Sequence, residues 1–386
     1  MLAILTMSRT AVAFQFQSIT PLFSRLHDAL AFNETGFGML LGCYMAPGAL
    51  VAIASPSFVR NYGALRTVCG ALIVMGASQI GLMLSVKPEL AYLMRMLGGA
   101  GGCVVYIVTV DMVAGLKTAA RMSSRMGIVA SSWPLGNALS LVLIGGLVSA
   151  SMIETAAYVP AVFAILMALL VASMSPRPQS VQAISATSDS ATRISSEKRL
   201  KEISLNEWKK AFASTLIPGV TFALYNVSFV VFSSFTPALL QTQGYTLAAA
   251  SSIGSLPMWI FVVSVPAGGI LAGRSRLGDK YLVGLGCLGG GACMALSYFF
   301  EDKVLWYTLS GLLGGLPTGA MLAGAARNRQ ALFFPALFCI FFIFLLVFPP
   351  VLGALISFTG QMHSILVCCI ALLVTAFLLF CREKSQ

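Results

Sequence analysis

Apolar residues in this chain come in long runs, not in alternation and not as a stripe around a polar helix. Twelve runs, at about 2–23, 36–59, 66–86, 90–115, 126–149, 155–174, 211–238, 247–272, 280–300, 304–324, 331–357 and 361–381, are each long enough to cross a bilayer. About 20 helical residues cover the ~30 Å of hydrocarbon. Most connections are short. The exception is a polar stretch, rich in Ser, Thr, Ala, Gln and Pro over 175–196 and crowded with charges over 197–210. It cannot bury enough apolar area to fold alone. Leu200, Ile203 and Trp208 would let 196–210 lie on the membrane surface as an amphipathic helix. The pattern predicts an all-α membrane protein of twelve transmembrane helices in two six-helix, pseudo-symmetric bundles, at 1–174 and 211–386, joined by the linker 175–210.

Charge gives this layout an orientation. Nineteen of the 24 Lys and Arg residues fall in the even-numbered connections and the C-terminal tail, whereas the odd-numbered connections hold only Arg25, Lys87 and Lys303. By the positive-inside rule both termini and the even connections face the cytoplasm. The net charge of +11 is thereby accounted for without a nucleic-acid partner. The two remaining basic residues, Arg9 and Arg95, lie inside spans. The first span is apolar from Leu2 and lacks the leading charge and small-residue cleavage site of a secretory signal, so it is expected to be retained.

Composition narrows the chemistry further. With 58% hydrophobic and 10% charged residues the chain is no ordinary soluble domain. Its nine Cys lack metal-ligand spacing, and His27 and His363 are far apart at span ends, so no metal or other cofactor is expected. No phosphate loop, zinc-protease motif or nucleophile elbow is present, and the glycine runs 98–102 and 289–291 lie in spans, where they read as packing devices. An enzyme is not expected. No Asp or Glu lies near the middle of any span. Coupling a cation to protons usually needs such a carboxylate, so a cationic solute is disfavoured.

Several motifs recur at defined places. The connection after the eighth span reads Gly268, Gly269, Ile270, Leu271, Ala272, Gly273, Arg274, Ser275, Arg276, Leu277, Gly278, Asp279, Lys280. A weaker copy follows the second span, from Ser55 to Arg66, keeping Arg60, Gly63 and Arg66 but lacking the acid. Span four carries Arg95 followed by Gly98, Gly99, Gly101 and Gly102, and a basic connection runs from Lys117 to Arg125. On these residues nearly the whole chain resembles the major facilitator superfamily. The resemblance implies alternating access, with the repeated loops latching the two halves on the cytoplasmic side. It assigns gating or structural roles to Arg66, Asp111, Arg121, Arg274 and Asp279, with Asp111 pairing Arg66 or Arg121.

Arg9 is the leading candidate for a ligand contact. A charge inside a span costs at least ~2.5 kcal/mol and normally faces a cavity or partner. A guanidinium offers a permanent charge and planar donors to a small anion. The alternative is that it snorkels to the cytoplasmic interface. Arg9, Ala13, Phe16, Gln17 and Thr20 share one face, with Gln15 pointing elsewhere. This opening resembles the cyanate/nitroimidazole-permease-like bacterial branch of the superfamily. Arg95 reads equally as a substrate or gating contact and as a structural residue. Trp133 and Asn137 in span five, Tyr225 and Asn226 in span seven, and Ser255 with Trp259 in span eight complete a mostly apolar pocket. The expectation is a monomeric secondary transporter in a bacterial inner membrane, moving a small organic or inorganic anion held by Arg9. Export of neutral or amphiphilic compounds, and a non-transporting scaffold that recruits a partner through the linker, are the alternatives.

Overall fold

The computed structural model describes residues 1–114, 128–174, 205–274, 279–327 and 333–383, and all regular structure among them is helical. The N-terminal half holds α1 (Leu2–Gln17), α2 (Phe23–Leu30), α3 (Glu34–Met45), α4 (Gly48–Tyr62), α5 (Ala64–Met83), α6 (Pro88–Ala114), α7 (Ser132–Ser149) and α8 (Ile153–Ser173). The C-terminal half holds α9 (Leu205–Thr242), α10 (Leu247–Arg274), α11 (Asp279–Gly284) continuing through a π-turn into α12 (Gly290–Phe299), α13 (Lys303–Arg327), α14 (Phe333–Thr359) and α15 (Ser364–Glu383). Ten helical segments among the described residues are long and apolar enough to cross a membrane. With α1 and α13 they make up a layout consistent with the expected twelve spans.

Local chemistry sets the breaks. The first run does not stay helical to residue 23: α1 stops at Gln17, and Pro21, which lacks an N–H and disfavours helix at Thr20, turns the chain into the short α2. In α2, Leu26 and Leu30 point inward, and Arg25 reaches across to Glu154 of α8 at 3.0 Å. The Asn33 side chain caps α3 by accepting from the Gly36 N–H at 2.9 Å. Pro47 divides the second run into α3 and α4, a break the sequence reading did not place. Gly63, at φ +80°, ends α4 in a conformation that side-chain-bearing residues rarely adopt. The linker lies mostly outside the described residues, but 205–210 are the first turns of α9 and not a separate surface helix.

Within lipid there is no hydrophobic drive between helices, so close approach and shape decide how they pack. Glycines allow that approach. A Cβ at Gly99 of α6 would overlap the Tyr44 carbonyl of α3, and one at Gly136 of α7 would overlap the Thr10 carbonyl of α1. Two seams join the halves: α3 lies along α14, and α7 along α10. On the first, Gly38 faces the Pro349 carbonyl, a Cβ at Gly42 would stand 2.5 Å from the Leu346 carbonyl, and Gly353 faces the Glu34 carbonyl. On the second, Ser131 donates to the Val262 carbonyl at 2.9 Å, and Gly145 sits on Ser251.

Candidate functional site

Arg9 lies seven residues into α1, roughly 10 Å along the helix, and its residue is only 2% exposed. The side chain turns inward between α6 and α7, not back toward the N-terminal end of the bundle. Its Nε donates to Ser132 Oγ at 3.2 Å, and its Nη1 donates to the Tyr106 carbonyl at 3.4 Å. The guanidinium carbon stands 3.8 Å from the centre of the Tyr106 ring, an arrangement favoured by the negative face of the ring. Ser132 can accept from Arg9 because its own proton goes to the Val129 carbonyl at 2.6 Å. Nη2 makes no hydrogen bond among the described residues beyond the nearby Tyr106 side chain. The one ion pair among the described residues is Arg25–Glu154, so Arg9 has no carboxylate partner there.

Rings surround this charge. Trp133 of α7 packs on Phe16 at 5.3 Å and edge-on against Tyr106 at 6.0 Å. Tyr106 meets Phe338 of α14 at 6.0 Å, the contact that carries the cluster into the other half of the molecule. Phe338 in turn meets Phe222 of α9 at 6.5 Å. Tyr106, Trp133 and Phe338 are each half-buried. Their rings meet where the two halves come together. Oriented to suit both neighbours, the Asn137 amide donates to the Ala13 carbonyl at 3.0 Å and accepts from Trp133 Nε1 at 3.1 Å. Asn137 therefore fixes the indole plane, and the indole offers its face, not its N–H.

Arg95 is employed differently. Nε donates to the Leu40 carbonyl at 3.1 Å, Nη1 to Gln15 at 3.2 Å and Nη2 to Phe16 at 3.0 Å. Gln15 and Phe16 belong to the last turn of α1, whose carbonyls have no helical partner once the helix stops. A cation there also suits the helix dipole. Tyr44 covers the guanidinium, its ring centre 4.5 Å from the central carbon. Of the two roles the sequence left open, this geometry is the structural one, since Arg95 closes the broken end of α1 against α3. Gln15 does point away from Arg9, as its helical position implied: it donates to the Met75 carbonyl at 2.8 Å and accepts from the Tyr44 hydroxyl at 3.1 Å.

The other expected pocket residues do not all converge. Gln17 sits two turns beyond Arg9 and bridges the halves, donating to the Ser233 carbonyl at 3.4 Å and accepting from Ser234 Oγ at 3.2 Å. It lies beside a narrow cleft of about 90 Å³ at the α2 end of the bundle, lined in part by Thr20, Phe37, Ser234 and Phe235. Tyr225 is buried between α9 and α13, its hydroxyl accepting from Thr318 at 3.3 Å. Asn226 donates back to the Phe222 carbonyl at 2.7 Å, and Ser255 likewise bonds its own helix. Trp259 is 37% exposed and shares no ring contact with the Arg9 cluster among the described residues. Tyr106, Ser132 and Phe338 are the residues that the sequence reading did not nominate. Helical spacing puts Tyr106 on the same face of span four as Arg95, Gly99 and Gly102; nothing marked Phe338 within its phenylalanine-rich run.

The expected latch is only partly within view. Asp111 and Arg66 are both exposed, and no ion pair joins them, so the Asp111–Arg66 pairing is not formed in this conformation. Arg121 lies outside the described residues, as do the side chains of Arg274 and Asp279, which stand at the ends of α10 and α11.

Residues 5–336 match the family model of the Major Facilitator Superfamily, and the chain belongs to that family of multi-pass membrane transporters. Its fold is similar to the crystal structure of a bacterial homolog of the human lysosomal transporter Spinster, solved in an inward-facing and occupied conformation. The TM-score is 0.74 at 13% identity, over 100% of this chain and 96% of that one. At this identity the likeness speaks for the fold alone. No curated protein matches the chain.

Proposed function

We propose that this protein is a secondary active transporter that carries a small organic or inorganic anion across a bacterial inner membrane by alternating access. The observation that carries the reading is Arg9: a guanidinium buried in a span, without a carboxylate partner among the described residues, and with donors to spare beyond its bonds to Ser132 and Tyr106. A permanent charge held inside the hydrocarbon is costly, and a solute anion supplies the missing counter-charge. The charge distribution puts both termini in the cytoplasm and the α2 end outside. The halves 1–174 and 211–386 then act as two bodies linked by 175–210 and rocking about the site. The Arg9-bearing span resembles the cyanate/nitroimidazole-permease-like branch, which agrees with an anionic solute.

A second reading, export of neutral or amphiphilic compounds, is favoured by the aromatic walls of Trp133, Tyr106 and Phe338. Thermal unfolding of the purified protein in detergent separates the two, because a bound ligand raises apparent stability according to its concentration over its dissociation constant. Anions should stabilise the wild type and have no effect on Arg9→Gln. Stabilisation by neutral amphiphiles alone, equal in both proteins, would replace the anion reading with the export reading.

A further inference from the structure

We infer that the solute is an organic anion with a flat apolar body, its acid group on Arg9 and its body between Trp133 and Phe338, and that inorganic anions are poor substrates. This rests on the reading of Arg9 as the anion anchor and narrows the class it serves.

The site offers few groups to a ligand. Arg9 has already placed Nε on Ser132 and Nη1 on the Tyr106 carbonyl, which leaves chiefly the Nη2 edge and, beside it, the Tyr106 hydroxyl. The other neighbouring polar groups are engaged. Ser132 gives its proton to the Val129 carbonyl, Trp133 gives its N–H to Asn137, and the Asn137 amide is bound on both sides. A small inorganic oxyanion entering here would shed a tight hydration shell in exchange for one cationic edge, and stripping water from a charge without replacing its hydrogen bonds is strongly unfavourable. An organic acid pays a comparable cost at its carboxylate but gains more. The carboxylate takes the same edge, and the apolar body adds contact with rings that are now half-buried.

The rings also come from both halves. Tyr106 and Trp133 stand on α6 and α7, and Phe338 on α14, with Tyr106 touching both of the others. A flat body lying between Trp133 and Phe338 would therefore touch both halves at once, whereas an ion on Arg9 alone would touch only the N-terminal half. Asn137 holds the indole of Trp133 in a fixed plane, so the surface presented to such a body is already set.

The test is a thermal-shift titration of the full-length protein in detergent with benzoate, acetate, nitrate and benzamide. It is run on the wild type, Arg9→Gln, Trp133→Leu and Phe338→Leu, each first shown to elute as a single monodisperse species. Benzoate should stabilise the wild type; acetate and nitrate should need at least about tenfold higher concentration for the same shift. Either ring substitution should weaken benzoate by about tenfold while leaving acetate and nitrate unchanged, and Arg9→Gln should abolish the benzoate shift. Nitrate or acetate acting as strongly as benzoate through Arg9, with Trp133→Leu and Phe338→Leu without effect, would overturn this inference and leave the anion reading standing. Benzamide acting as strongly as benzoate, in Arg9→Gln as in the wild type, would overturn both. So would the absence of any Arg9-dependent shift.

Discussion

Two buried arginines, 2% exposed each, sit in neighbouring helices and do different work because their partners differ. Arg95 donates to three main-chain carbonyls, one on α3 and two at the end of α1. Arg9 is held by a hydroxyl, one carbonyl and a ring, and keeps a free edge. Stability should tell them apart. Arg95→Leu leaves the Phe16 carbonyl without its donor and takes one from the Gln15 and Leu40 carbonyls, and should destabilise the protein by roughly 1–3 kcal/mol. In a detergent melt it should unfold several degrees early. Arg9→Gln removes a charge without a carboxylate partner and should melt at or above the wild-type temperature, since replacing an uncompensated buried charge is often neutral or favourable. Equal losses in both variants would make Arg9 a structural residue too. The sequence made both arginines conspicuous, because a charge inside an apolar run is rare. It could not tell them apart, because the carbonyls that claim Arg95 are freed only by the break at Gln17. Tyr106 and Phe338 were harder still to see: aromatic residues are common in spans, and only the fold brings these two rings together across the halves.

At the scale of elements, the structure turns on where helices approach closely and where they stop. The run pattern located the spans, since apolar length is a direct demand of the bilayer. It missed the division of the second run at Pro47 and carried the first run past its true end, because apolarity continues through both breaks while helical hydrogen bonding does not. The crossing of α3 and α14 depends on glycines facing carbonyls, Gly38 on Pro349, Gly42 on Leu346 and Gly353 on Glu34. In the proposed orientation this end of the seam faces outside, and there the Thr35 and Ser357 hydroxyls lie 3.3 Å apart. A side chain forced into the crossing should hold it open. Gly42→Leu, carrying spin labels at positions 35 and 357, is expected to shift the distance distribution by pulsed electron resonance toward longer values than in a labelled wild type. An unchanged distribution would show that the glycine crossing is not what keeps that end closed.

For the whole molecule, the family membership and the seams describe a bundle whose two halves meet at a site of one charge and several rings. The all-helical, multi-span fold was legible in the apolar runs, while sidedness and the six-plus-six division are proposed from the distribution of Lys and Arg and the central polar stretch. The convergence of the pocket was not. Helical position alone placed Tyr225, Asn226 and Trp259 on the ligand, whereas packing turns Tyr225 toward Thr318, returns Asn226 to its own helix and leaves Trp259 apart from the cluster. The proposed site is anchored in the N-terminal half and completed by Phe338 from the C-terminal half. In that proposal Arg9 holds an anion while the halves exchange access. The most direct measurement is counterflow of radiolabelled benzenesulfonate, whose permanent charge keeps it from crossing lipid unaided, in proteoliposomes of the wild type and Arg9→Gln. The account expects saturable uptake by the wild type above protein-free vesicles and a loss of about tenfold or more in the variant, the scale of one charge-assisted contact. Uptake by Arg9→Gln equal to the wild type would contradict it.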